Sequence, residues 1–312
     1  MSLYLVTGGA GFIGSHIVKE LVRRGQHVRI LDDFSSGSLT NLKPVLRSIE
    51  VTKGDIRDAS IVKRCCRNVD FVLHQAALAS VERSLTVPRT VCEVNVNGTL
   101  NLLNASRNQG VKAFVYASSS SVYGDTPTLP KRETMPTRPM SPYAFSKLAG
   151  EQYLQLFNRA FGFRTVSLRY FNVFGPNQNP HSQYAAVIPR FIVAAMKGKR
   201  PTIFGDGRQT RDFTYISNVV RANLLACSQE SASGGIYNIA TGKRNSLLLL
   251  YTLISDSLKS NLIPVRAPAR SGDVRHSLAD ISRAEQLLGY SVNTDFISGL
   301  KMTMEWYKEN CN

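Results

Sequence analysis

Residues 3–25 read LYLVTGGAGFIGSHIVKELVRRG, and this stretch decides the fold. Residues 3–7 are a short apolar run of the kind that makes a buried strand. Thr7-Gly8-Gly9-Ala10-Gly11-Phe12-Ile13-Gly14 follows. From Phe12 the apolar period changes. Ile13, Ile17, Val18, Leu21 and Val22 fall on one face of a helix over 12–24, and Gly25 stops it. Glycine lets the backbone turn tightly and lets a pyrophosphate approach it. A helix N-terminus adds unpaired N–H groups and a positive dipole end. The spacing is GxxGxxG rather than GxGxxG, and glycine spacing alone is weak evidence, because an ordinary strand–helix turn uses it too. With a strand before and a helix after, Gly8, Gly11, Phe12, Ile13 and Gly14 are read as a dinucleotide cradle.

Working outward, the next strand, 28–31, ends in Asp32 and Asp33. A carboxylate there accepts hydrogen bonds from the adenosine ribose hydroxyls and repels a 2′-phosphate, so NAD is expected over NADP. Either aspartate also suits a strand-end turn. Asp55, with Ile56 after it, ends a third strand over 50–53; an adenine contact and a turn role both remain open. Further buried strands are predicted at 71–74, 114–117 and 165–170, with long helices at 88–108 and 142–162. Strand and helix alternate as far as residue 170, which predicts an α/β fold with a parallel sheet covered on both faces. After Asn172 the pattern breaks. A Pro/Asn/Gln-rich loop spans 175–182, followed by helices near 187–197, 219–227, 246–258 and 281–288 and a short strand at 202–204. The expected organisation is a cofactor-binding portion over 1–172 and a smaller, mixed substrate-binding portion over 173–312, interleaved with the first.

The chain has 312 residues, of which 43% are hydrophobic and 19% charged. Such a chain buries a real core and is neither disordered, collagenous nor a coiled coil. No run of roughly 18 apolar residues exists, so no membrane span is expected. The opening MSLYLVTGGAG has no basic stretch followed by an apolar core, so it is not read as a signal peptide. Cys65, Cys66, Cys92, Cys227 and Cys311 are odd in number and irregular in spacing. That argues against a disulfide framework or a metal site and for a reducing, cytoplasmic setting. Lys and Arg total 38 against 22 Asp and Glu, a net charge of +16. The basic runs are only pairs, such as Arg23-Arg24, which indicates a solvated surface that attracts small anions rather than a nucleic-acid face.

Two further segments carry chemistry. Ser118-Ser119-Ser120-Ser121-Val122-Tyr123-Gly124 lies at a strand's C-terminal end, where ligands bind in such sheets. In Ser141-Pro142-Tyr143-Ala144-Phe145-Ser146-Lys147, Pro142 opens a helix and puts Tyr143 and Lys147 four residues apart on one face. An ammonium beside a phenol favours the phenolate and lowers its pKa. Such a tyrosine takes a proton from a hydroxyl while hydride leaves the same carbon, and a nearby serine hydrogen-bonds the same oxygen.

These motifs, with LHQAA at 73–77, RYFNVFG at 169–175, YAAVIPRF at 184–191, GDGRQTRDFTYI at 205–216, IYNIATG at 236–242 and RSGDVRHSLADIS at 270–282, make the chain similar to a known family. From about Leu3 to Trp306 it resembles the extended short-chain dehydrogenase/reductases that act on nucleotide sugars. Within them it resembles the UDP-hexose 4-epimerase group, bacterial UDP-N-acetylglucosamine 4-epimerases above all. The resemblance implies a Rossmann-like doubly wound sheet, bound NAD, C4 epimerisation of a UDP-sugar through a 4-keto intermediate, and a homodimer formed by helices 88–108 and 142–162. It implies that Ser119, Tyr143 and Lys147 are catalytic, with Ser120 and Ser121 as neighbours sharing substrate contact, and that Ala76 lies at the cofactor. Asn172, Arg211 and Arg270 would face the pyrophosphate, Ala186 and Val187 the uracil, and Asp273 the ribose. Ser277, small where strict UDP-galactose epimerases carry a tyrosine, would admit a C2 N-acetyl group. His74 is read as structural, and His276 as lining or packing. Dehydratases and decarboxylases of the family carry acids just before the Tyr-Gly of the serine segment; Ser121 and Val122 precede Tyr123 here, which disfavours both reactions. A UDP-glucuronate 4-epimerase and a non-catalytic NAD(H) sensor or scaffold are the alternatives.

Overall fold

Strand β1 (Leu3–Thr7) enters the glycine turn, α1 (Phe12–Arg23) leaves it, and β2 (His27–Asp32) returns beside β1 in parallel. The computed structural model describes residues 1–180, 186–260, 262–268 and 274–311. The chain continues through β3 (Glu50–Lys53), α2 (Ala59–Cys65), β4 (Phe71–His74) and α3 (Val81–Thr86). Then α4 (Pro88–Cys92) passes through a π-helical turn, Glu93–Asn97, into α5 (Gly98–Asn108). Strand β5 (Ala113–Ser119), α6 (Pro142–Phe161) and β6 (Thr165–Tyr170) complete the alternating part.

Beyond it lie β7 (Val173–Phe174), α7 (Val187–Met196), β8 (Thr202–Phe204), β9 (Thr210–Arg211), β10 (Thr214–Tyr215) and α8 (Ile216–Ser228). The chain ends through β11 (Ile236–Ile239), β12 (Asn245–Ser246), α9 (Leu247–Ser257), β13 (Val265–Ala267), α10 (Ser282–Leu288) and α11 (Phe296–Asn310).

The main sheet has seven strands in the order β11-β6-β5-β4-β1-β2-β3, all pairings parallel. This is the doubly wound arrangement that the alternation of strands and helices predicts. Successive strands run outward from β1 to β3, and the chain then crosses back to lay β4 on the other side of β1. The point where that direction reverses, at the strands' C-terminal ends, is the general ligand position in such sheets. Period two along each strand sorts the core. Val6, Ile30, Leu73 and Val115 belong to one apolar cluster, with α1 and α8 residues. Leu5, Leu31, Val72 and Phe114 belong to the other, with α2, α5 and α6 residues. In α1, Ile17, Val18 and Leu21 are fully buried, each contributing about 1.5–3 kcal/mol.

Several elements depart from the sequence reading. Strand β11 is the sheet's seventh strand, paired with β6, although nothing in IYNI alone marks a strand. The five residues between Gly234-Gly235 and Thr241-Gly242 are too few for periodicity to show. Helices α2, α3 and α11 are likewise absent from the sequence-based map. The long helix expected over 88–108 is continuous, but it carries the π turn. Residues after 172 also build three two-stranded sheets, β7 with β10, β8 with β13 and β9 with β12.

Candidate active site

The glycine cradle is held by close backbone contacts. Gly8 has φ +66°, and a Cβ there would stand 2.7 Å from the Ala76 nitrogen, at the end of β4. A Cβ on Gly14 would collide with the Gly8 carbonyl oxygen. No side chain caps the start of α1 after Gly11, and its first turn carries no acid. Amides of the first turn are therefore open to an anion. A cradle that side chains would fill, ending in an uncapped positive dipole, fits the pyrophosphate of a dinucleotide.

Asp32, at the end of β2, is 7% exposed. Its carboxylate accepts from the Ala10 amide at 2.9 Å and the Phe34 amide at 2.8 Å, so it braces the cradle. Burial raises its pKa above the usual carboxylate value, and those two amides oppose the rise. Asp33 is exposed and accepts from the Ser35 amide and hydroxyl, the pattern of a turn residue. Asp55 pairs with Arg57 at 2.6 Å, which lowers its pKa and favours the turn alternative. Ile56 is buried against Gly98.

The serine, tyrosine and lysine converge at the end of β5. Ser141 caps α6, accepting from the Ala144 amide, and Pro142 occupies the first turn. The Lys147 ammonium lies 6.0 Å from the Tyr143 ring centre and donates to the Ala117 carbonyl at 2.7 Å. Burial pushes Lys147 down to about 7, with Glu151 opposing the fall. Burial also raises Tyr143 above the usual phenol value, and a hydrogen bond with Ser119 pulls it back. In this structure the pull on the phenol thus comes from Ser119, whereas the sequence pattern points to the lysine. The Ser119 oxygen also accepts from the Ser121 amide at 3.2 Å and its hydroxyl at 2.9 Å. Ser120 opens the short helical turn that follows. Ser118 is buried and bonds to Glu151 instead, as alternation along a strand requires.

Asn172, Ala186, Val187, Thr202, Phe204 and Arg211 come together around one cavity of about 280 Å³. Sequence spacing scatters these residues; the loops after β6 and the small sheets gather them. Asn172 has φ +33°, and its amide donates to the Asp212 carbonyl at 3.2 Å and the Ser277 hydroxyl at 3.4 Å. Arg211 donates to the Thr210 and Arg275 carbonyls. The Ser277 amide donates to the Thr210 carbonyl, and His276 Nδ1 bonds Thr210 Oγ1 at 2.9 Å. Arg270 and Asp273 lie outside the described residues. His74 is fully buried between the hydroxyls of Thr7 at 2.7 Å and Thr99 at 2.9 Å; burial lowers its pKa to about 3.

Sequence reasoning missed three buried polar residues. Asp212 accepts from Thr241, Gly242 and Ala279 amides and fastens the segments on which Ser277 and Arg211 sit. Glu151 and Arg169 form a buried ion pair beneath Lys147. Glu151 continues the four-residue spacing of Tyr143 and Lys147, a signal available in the sequence.

Residues 4–240 match the NAD dependent epimerase/dehydratase family. The chain is 38% identical over 308 residues to a UDP-glucose 4-epimerase of Mycolicibacterium smegmatis, covering 97% of this chain and 98% of that protein. Its structure is similar to that of a UDP-N-acetylglucosamine 4-epimerase from Methanobrevibacter ruminantium in complex with UDP-N-acetylmuramic acid, with a TM-score of 0.95, 40% identity and coverage of 99% and 98%. A UDP-glucose 4-epimerase of Thermus thermophilus complexed with NAD gives a TM-score of 0.90 at 37% identity, covering 99% of each chain.

Proposed function

The chain belongs to the NAD dependent epimerase/dehydratase family, and from that membership we propose that it is an NAD-dependent UDP-hexose 4-epimerase acting on UDP-GlcNAc/UDP-GalNAc and UDP-Glc/UDP-Gal. The observation that carries this reading is the meeting of Ser119, Tyr143 and Lys147 at one strand end of a sheet whose glycine cradle lies at the end of β1. Residues 1–172 supply the cofactor side and residues 173–312 most of the sugar-nucleotide side, the second portion interleaved with the first through β11.

Gly8, Gly11, Phe12, Ile13 and Gly14 would hold the NAD pyrophosphate, Asp32 its ribose, and Ala76 the inner wall. When bound, NAD would supply a hydride acceptor regenerated within the turnover, so no external oxidant would be consumed. Tyr143 takes the proton of the sugar 4-hydroxyl and later gives it back. Ser119 hydrogen-bonds the same oxygen and keeps it aimed at the phenol. Lys147, as an ammonium, stabilises the phenolate and holds the nicotinamide ribose. Asn172 and Arg211, with Arg270, anchor the pyrophosphate of UDP while the keto sugar turns over. Ala186, Val187 and Thr202–Phe204 would form the uracil end of the cavity, and Asp273 the ribose contact. Ser120 and Ser121 border the sugar. Segment 118–124 holds no acid, which leaves no group there for dehydration or decarboxylation.

A panel of UDP-GlcNAc, UDP-Glc, UDP-glucuronate and UDP-xylose, incubated with protein purified without added nucleotide and followed by NMR, tests the reading. C4 epimers of the first two are expected. Ser277→Tyr should suppress the N-acetylated pair far more than the plain pair, because an added ring clashes with the acetamido group. UDP-glucuronate as the fastest substrate, or no turnover at all, would overturn the assignment.

We also infer a homodimer through α4, α5 and α6, supported by exposed Phe145 and Leu156 on α6. A cytoplasmic setting is supported by the free thiols of Cys65, Cys66, Cys92, Cys227 and Cys311. Among the described residues no helix is long and apolar enough to cross a membrane.

A further inference from the structure

Tyr143, Lys147 and Glu151 follow one another at four-residue steps on α6 and so share a face. The end of β5 meets that face twice. Ala117 accepts from Lys147 Nζ at 2.7 Å, and the Ser118 hydroxyl donates to Glu151 Oε1 at 2.5 Å. From β6, paired with Ser118 in register, Arg169 donates Nε to Glu151 Oε1 at 2.8 Å and Nη2 to Oε2 at 2.7 Å. Both side chains of this pair are almost completely buried, at 0% and 3% exposed. The Arg169 guanidinium lies over the Tyr123 ring at 4.6 Å, and Tyr123 donates to Asn238 on β11.

A buried ion pair is weak evidence for stability, since apolar residues of equal volume often serve as well. Its placement one helical turn from Lys147 gives it another role. We propose that Glu151 is a positioning residue for the reaction: its carboxylate, fixed in place by Arg169 and Ser118, is the counter-charge that holds Lys147 as an ammonium beside Tyr143. This rests on the epimerase reading for its consequence in turnover, but the electrostatic claim stands on the apposition itself.

The titratable and charged groups around Lys147 are Tyr143 and Glu151 on its own helix, Tyr116 on β5 under the ammonium at 4.8 Å, and His74 on β4. Arg169 and Tyr123 stand behind Glu151. Of these Glu151 is the anion. Burial drives Lys147 toward its neutral form, and Glu151 opposes that. His74 is itself held neutral by burial and adds no charge above its own low pKa.

Glu151→Gln keeps the shape and removes the charge. The double variant Glu151→Leu with Arg169→Met removes both charges in similar volume, so it folds even where an unpaired Arg169 is not tolerated. In NAD-bound protein carrying ¹³C-lysine, with Lys147 assigned through Lys147→Arg, the Lys147 titration should move down by roughly one to three pH units in Glu151→Gln. It should move in the same direction by less in the double variant, because Arg169 no longer repels the ammonium there. The alkaline limb of kcat should move with it while KM stays, and Glu151→Asp should restore part of the shift. That titration needs no sugar, so failure of the epimerase reading leaves its result unaffected. A double variant in which Lys147 titrates as in the wild type, with the kcat profile unmoved, would show the pair to be structural only and overturn the proposal.

Discussion

Tyr143 is the residue on which the proposed chemistry turns. Tyr143→Phe keeps the ring on the first turn of α6 and removes the oxygen that bonds Ser119. Binding of NAD and UDP-sugar should persist, while kcat should fall by about 10²–10⁴, the usual worth of general acid–base work. Single-turnover kinetics with binding measured by calorimetry checks both halves, and a near wild-type kcat would remove Tyr143 from the proton path. This residue was legible because Pro142 and a four-residue step fix its direction from sequence alone. Asp55 was less so: strand-end position suggested a ligand contact, and only the Arg57 partner shows what its carboxylate holds. Asp212 gave no signal at all. Its partners, Thr241, Gly242 and Ala279, are tens of residues away, and no local pattern reports a bond made across the fold.

At the scale of elements, His74 joins β4 to β1 through Thr7 and to α5 through Thr99. Its pKa is lowered to about 3 from 6.5 by burial. The folded state therefore keeps the ring neutral where the unfolded chain protonates it. Stability should be fully present above about pH 6.5 and should fall as pH drops toward 3, by about 1.4 kcal/mol per pH unit at most. His16, lowered to about 4 by burial, acts in the same direction over its own narrower range. Thermal unfolding as a function of pH is the measurement; His74→Gln should be less stable near neutrality and flatten the acid slope. A slope unchanged in His74→Gln would assign the acid sensitivity elsewhere. Helices α1 and α6 were legible because burial on one side leaves a period in the sequence, and strands such as β1, β5 and β6 because burial on both faces leaves a short apolar run bounded by turn residues. The two-residue strands β7, β9, β10 and β12 were not, because a bridge of two residues has no period to read.

For the whole molecule, exposed Phe145 and Leu156 lie three turns apart on one line of α6. If this line is a subunit seam, sedimentation should give a dimer, and Phe145→Glu with Leu156→Glu should give a monomer. A monomeric wild type would refute the seam. The charge surplus of +16 was legible as a number, but composition carries no address, and it named no partner. Connectivity carries a further consequence. Strand β6 ends at Tyr170, yet its outer neighbour β11 begins at Ile236. During synthesis the hydrogen-bonding groups along β6 therefore stay open while more than sixty further residues emerge from the ribosome. A nascent chain or proteolytic fragment stopping near residue 172 presents that raw edge to any extended peptide, including another copy of itself, and is the species for which a chaperone has most to do.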